Sequence, residues 1–88
     1  MAERLGMDVN AGEQLARKFQ EEARKLGETI NTINAQLTST WWEGQDARKF
    51  KADWEGHRNN LNKLKQELEH AGQSVKRQVD QQRSTSNA

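Results

Sequence analysis

Residues 38–57 read TSTWWEGQDARKFKADWEGH, and whether the chain turns here or runs through as helix separates a hairpin from a single long rod. Trp-Glu-Gly occurs twice in this stretch, at 42–44 and at 54–56. A glycine inside a helix costs about 1 kcal/mol relative to alanine, so each copy either turns the chain or interrupts a helix. Before the first copy, Thr38, Ser39 and Thr40 compete with the helical hydrogen-bond ladder, and two bulky indoles follow. Thr40 and Glu43 also have the spacing of a capping box, with the threonine as N-cap. The turn is therefore expected over 39–45, and the second copy inside a helix.

Hydrophobic periodicity demands this break only weakly, since the first series below would reach Gly44 and Ala47 in phase and slips only at Phe50. Toward the amino terminus, apolar or small residues recur at Val9, Gly12, Ala16, Phe19, Ala23, Leu26, Ile30, Ile33 and Leu37, in alternating steps of three and four that mark one helix face. Toward the carboxy terminus the series runs Ala47, Phe50, Trp54, His57, Leu61, Leu64, Leu68, Ala71 and Val75. Two helices follow, over about 10–38 and 46–82, each on the order of 45 Å long at 1.5 Å per residue. Asn10 and Glu13 give a second capping-box spacing, with Met7-Asp8-Val9 extended before it. The segment 83–88, RSTSNA, is expected to be a flexible tail beyond a hairpin spanning 1–82.

If the chain folds back near residue 42, Leu37 faces Ala47, Ile33 faces Phe50, Ile30 faces Trp54 and Leu26 faces His57. Farther out Ala23 meets Leu61, Phe19 meets Leu64, Ala16 meets Leu68, Gly12 meets Ala71 and Val9 meets Val75. Large residues repeatedly oppose small ones, which fills interdigitating layers evenly. The fold class is all-α, an antiparallel helix-turn-helix hairpin.

Such a hairpin is thin. Of 88 residues, 32% are hydrophobic and 31% charged, and two helices touching along one seam leave each largely wet. Leu15 and Ala35 widen the first seam into a stripe that can meet a second hairpin, giving a four-helix bundle by dimerisation. An ordinary interface of roughly 800 Å² per partner suffices for that association. The residues expected to build the hairpin and dimer core are Leu15, Phe19, Leu26, Ile30, Ile33, Leu37, Phe50, Trp54, Leu61, Leu64, Leu68 and Val75. Adjacent indoles on a turn point in different directions, so Trp42 is read mainly as a plug on the bundle end and Trp41 mainly as an exposed interaction anchor.

Several function classes find no support in the composition. A net charge of +1, with basic pairs such as Arg17-Lys18 and Lys76-Arg77 interleaved with acids, gives no clustered face for nucleic acid. The absence of cysteine removes thiolate and cysteine-zinc chemistry. His57, on the second seam, is expected to be a half-buried packing residue facing Leu26. With Asp53 it makes only two ligands, too few to specify a metal. No Ser/His/Asp arrangement, phosphate loop or carboxylate pair stands out, so neither enzymatic activity nor a cofactor is expected. No segment has signal-peptide or membrane-span character, and neither seam has the wide basic-flanked apolar face of a surface-lying helix, so stable membrane insertion is not expected.

Trp42-Glu43-Gly44 followed by Ala47 and Phe50, W-E-G-Q-D-A-R-K-F, at the centre of a chain with one helix on each side, resembles the WXG100 family, the ESAT-6-like proteins. MDVNAGEQLARKF, residues 7–19, is similar to that family's opening, and the resemblance spans essentially residues 7–80. It implies a hairpin that pairs into a four-helix bundle, as a homodimer or as a heterodimer with a second WXG100 protein. It also implies a bacterial substrate or co-substrate of a type VII (ESX-like) secretion system, exported folded without a cleaved signal peptide. In that family the Trp-x-Gly turn of one partner lies near the tail of the other and helps form an export signal read by the secretion ATPase, which assigns recognition to Trp42 and Gly44 with Trp41 beside them. The family's tail signal Tyr-x-x-x-Asp/Glu is absent, since the chain has no tyrosine. Leu68, Val75 and Val79 fit its hydrophobic spacing, but Gly72 stands where an acid is expected. Either a second protein supplies the signal, or this tail carries a degenerate version. The competing reading is an intracellular coiled-coil adaptor or chaperone-like structural protein.

Overall fold

The structure, a computed structural model, describes residues 6–86. They form two α-helices and no strand: α1, Val9–Ser39, and α2, Gln45–Ser86, packed antiparallel along each other. The particle measures 65 × 22 × 21 Å. Its length is that of α2, whose 42 residues make about 63 Å at 1.5 Å each.

Both caps differ from the expected ones. Asp8, not Asn10, caps α1: its Oδ1 accepts the Ala11 amide at 3.1 Å, and its carbonyl accepts the Gly12 amide at 2.8 Å. The helix thus starts at Val9, and Glu13 turns toward α2. At the other end Thr40 closes α1 and does not open α2. Its amide donates to the Gln36 and Leu37 carbonyls, and its hydroxyl donates to the Gln36 carbonyl at 2.6 Å. With that hydroxyl engaged, Gly44 is the residue before α2, and its carbonyl accepts the first helical bond from the Arg48 amide at 3.0 Å.

The register is displaced by about one helical turn from the expected pairing. Trp54 bonds Asn34, four residues beyond Ile30, and Gly72 lies against Ala16, Phe19 and Gln20, where Leu68 was the expected neighbour of Ala16. The cause is the connector. Thr40 has φ −81° and ψ 122°, so the chain leaves α1 extended and rises before α2 begins.

α2 is also rotated from the expected face. Ala16, Ala23 and Ile30 of α1 and Ala47 and Val79 of α2 are buried, together with Gly12 and Gly72. His57 and Leu64, expected on the seam, are exposed, and Arg58 and Lys65 take the half-buried positions. Gly72 accounts for the rotation. A Cβ at residue 72 would stand 3.0 Å from the Phe19 Cβ and 3.2 Å from the Ala16 carbonyl oxygen, so the absence of a side chain favours this close approach. Lys65 joins the seam by laying its aliphatic stem over Gly27 while its ammonium reaches Glu69 at 2.8 Å.

Helix α2 continues to Ser86, so residues 83–86 of the expected tail are helical; residues 87–88 lie outside the described residues. The Arg83 guanidinium reaches across to Glu13 and ties this last part of α2 to the first turn of α1.

Candidate functional site

Two surfaces stand apart from the ordinary solvated faces. The first is the turn. Gly44 has φ +109° with no atom within 4 Å of a Cβ built on it, so its requirement for glycine is conformational and not steric. That conformation directs the chain out of the extended connector and into α2. Trp42 is held over Phe50, ring centroids 5.3 Å apart and planes tilted by 47°, a favoured geometry for aromatic pairs. Lys51 Nζ donates to the Trp42 carbonyl at 3.3 Å. Trp42 remains 37% exposed and Trp41 84% exposed. Trp42 packs on Phe50, one turn beyond the buried Ala47, whereas Trp41 beside it in the connector is left almost wholly exposed.

The second Trp-Glu-Gly is ordinary helix. Trp54 is half-buried on the seam and donates from Nε1 to Asn34 Oδ1 at 3.1 Å. Gly56 is exposed, and a side chain there would meet no atom within 4 Å. One copy is a hinge and the other a stretch of helix.

The second surface is one flank of the hairpin. Gln20, Gly27 and Asn34 on α1 touch Glu69, Lys65 and Trp54 on α2, which defines a polar edge along the groove between the helices. At 100° per residue, Leu15 and Ile33 fall on the opposite edge of α1, and Phe50 and Leu64 on the opposite edge of α2. These four keep 45–49% of their surface exposed. Phe19, Leu26, Leu37, Leu61, Leu68 and Val75 are half-buried beside them, and Ile30 is buried beneath. The residues expected in the core thus divide: Ile30 closes the hairpin, Trp54 lies on its polar edge, and the others form its margin or its open apolar flank.

The polar surface is laced by pairs within each helix, including Arg24 with Glu28, Arg58 with Glu55 and Lys76 with Asp80, each contributing a few tenths of a kcal/mol. Hydrogen bonding from Arg83 holds the Glu13 carboxyl below its ordinary pKa, and Lys25 does the same for Glu21. The partners Arg83 and Lys25 are raised by the same contacts. His57 is exposed and not against Leu26. Among the described residues no group of three His, Cys, Asp or Glu is placed to hold a metal, and no helix is long and apolar enough to cross a membrane.

Asn34 and Lys51 had no place in the periodic reading. Asn34 is a polar residue one turn past Ile30, with no sequence signal linking it to Trp54, and the Lys51 contact with Trp42 depends on how the connector folds. No family model, curated protein or solved structure matches the chain.

Proposed function

We propose that this chain is a non-enzymatic, WXG100-like export substrate or co-substrate of a type VII secretion system, acting as half of a four-helix bundle. The observation that carries the reading is the position of Trp42-Glu43-Gly44. The tripeptide forms the connector of the hairpin, Gly44 occupies a backbone conformation that disfavours any side chain, and both indoles stay accessible to a partner. The apolar flank supports pairing, because Leu15, Ile33, Phe50 and Leu64 form a lengthwise stripe of the kind a second hairpin covers. The partner is a second copy or a related WXG100 protein. Trp41 and Trp42 are the anchors offered to the secretion ATPase, jointly with the partner's tail.

The test is export. The wild-type chain and a Trp42→Ala variant are expressed in a bacterium with an active type VII system, and culture supernatant is compared with lysate. The wild type is expected in the supernatant, and the variant is expected to keep its helicity and stay in the lysate. Equal export of both would overturn the recognition role. Confinement of the wild type to the lysate would favour the adaptor reading.

A further inference from the structure

On the polar edge, opposite the apolar flank, the close approach of the helices at Gly72 leaves a groove of about 690 Å³ floored by Ala16 and Gly72. Arg17, Gln20 and Glu21 form one wall and Gln73, Lys76 and Arg77 the other. Charge matching around it is uneven. Glu13 is taken by Arg83, Lys76 by Asp80, and Glu21 by Lys18 and Lys25. Arg17 and Arg77, one on each wall, have no carboxylate within 4.0 Å among the described residues.

We infer that this groove is a docking site for an acidic amphipathic helix of a partner protein. The floor is small and apolar, so a third helix can approach closely, as ridges pack into grooves between helices. The walls then face the two edges of the incoming helix. Guanidinium groups suit carboxylates there because their planar donor forks can bind them bidentately, and the Gln20 and Gln73 side chains line the same walls. The occupant is thus a helix with a narrow stripe of alanine and leucine bordered on both sides by aspartate or glutamate. This site lies on the edge opposite Leu15, Ile33, Phe50 and Leu64, so a bundle partner leaves it open, and it does not depend on export.

The test uses two dye-labelled synthetic helices of about twenty residues, long enough to hold helical structure. One carries an alanine/leucine stripe bordered by glutamates, and the other has lysine at every glutamate. Fluorescence anisotropy with the full chain is expected to give about tenfold tighter binding of the glutamate helix, weakening with added salt. The double variant Arg17→Glu/Arg77→Glu, at exposed positions, is expected to keep its circular dichroism spectrum and to lose or reverse that preference. Amide shifts on binding should cluster at Ala16, Gln20, Gly72 and Gln73. No binding of the glutamate helix, equal binding of the two, a preference that survives the double variant, or shifts centred on Ile33 and Leu64 would each overturn the inference.

Discussion

The indole N–H of Trp54 donates to the side-chain oxygen of Asn34 at 3.1 Å, the one side-chain-to-side-chain hydrogen bond between the uncharged groups of the two helices among the described residues. It sits half-buried on the seam, where an unmet polar group is costly, so it selects the register in which these two residues meet. Trp54→Phe strands the Asn34 amide and is expected to cost about 1–2 kcal/mol. Trp54→Phe/Asn34→Leu removes both polar groups and should recover much of that loss. Urea unfolding followed by circular dichroism at fixed chain concentration checks both. Equal stability of the two variants would show that packing of the indole, and not its bond, sets the register.

The two Trp-Glu-Gly copies respond oppositely to the same change. Gly56→Ala enters open space on an exposed helix position and should stabilise by about 0.5–1 kcal/mol. Gly44→Ala also meets open space, but at φ +109° it should destabilise by about 1–3 kcal/mol. Thermal unfolding of the two variants gives the comparison.

This contrast also marks how far the sequence could be read. The turn was legible because three hydroxyl residues, two indoles and a glycine coincide where two heptad series meet. The α1 seam was legible because Gly12, Ala16, Ala23 and Ile30 recur in step and are all buried. The α2 face was not. Its series of Phe50, His57, Leu64 and Ala71 is as regular as the true one, and hydrophobicity alone favours Leu64 over Lys65. What decides is close approach at Gly72 and the stem of Lys65 over Gly27, both three-dimensional. Thr40 misled for a related reason. A threonine hydroxyl serves a helix start or a preceding carbonyl equally well, and here it bonds the Gln36 carbonyl. As for the turn and flank as a site, the sequence showed which residues are apolar but not which side of the hairpin they share.

A side chain at residue 72 would crowd the facing helix. Gly72→Ala drives a methyl toward the Phe19 Cβ and the Ala16 carbonyl, and backbone has little room to yield. The expected cost is about 1–3 kcal/mol from overpacking, read as a lower urea midpoint. Gly27→Ala, which meets only the flexible Lys65 stem, should cost less.

Acid should loosen the open end of the hairpin first. The Glu13 carboxyl is held below its ordinary pKa chiefly by the Arg83 hydrogen bond, so its contribution is complete above the unfolded value of about 4.3. That contribution is lost as pH falls through the lower native value. Arg83 is raised, and its side of the pairing weakens only under strongly alkaline conditions. Amide protection, taken relative to the intrinsic exchange rate at each pH, should therefore fall within the last turns of α2 on acidification while protection near Ile30 and Ala47 changes less. Glu13→Gln should remove the difference.

The proposal that a second helical pair covers the apolar flank is tested most directly by light scattering on the purified chain, with circular dichroism on the same sample. A helical particle of twice the 10.1 kDa chain mass is expected if the chain pairs with itself, falling to a single chain with Ile33→Glu/Leu64→Glu. If the cover comes from a related protein, the chain alone should be poorly helical and gain helix only with that protein. A single chain that is fully helical and unfolds cooperatively without any partner would contradict it.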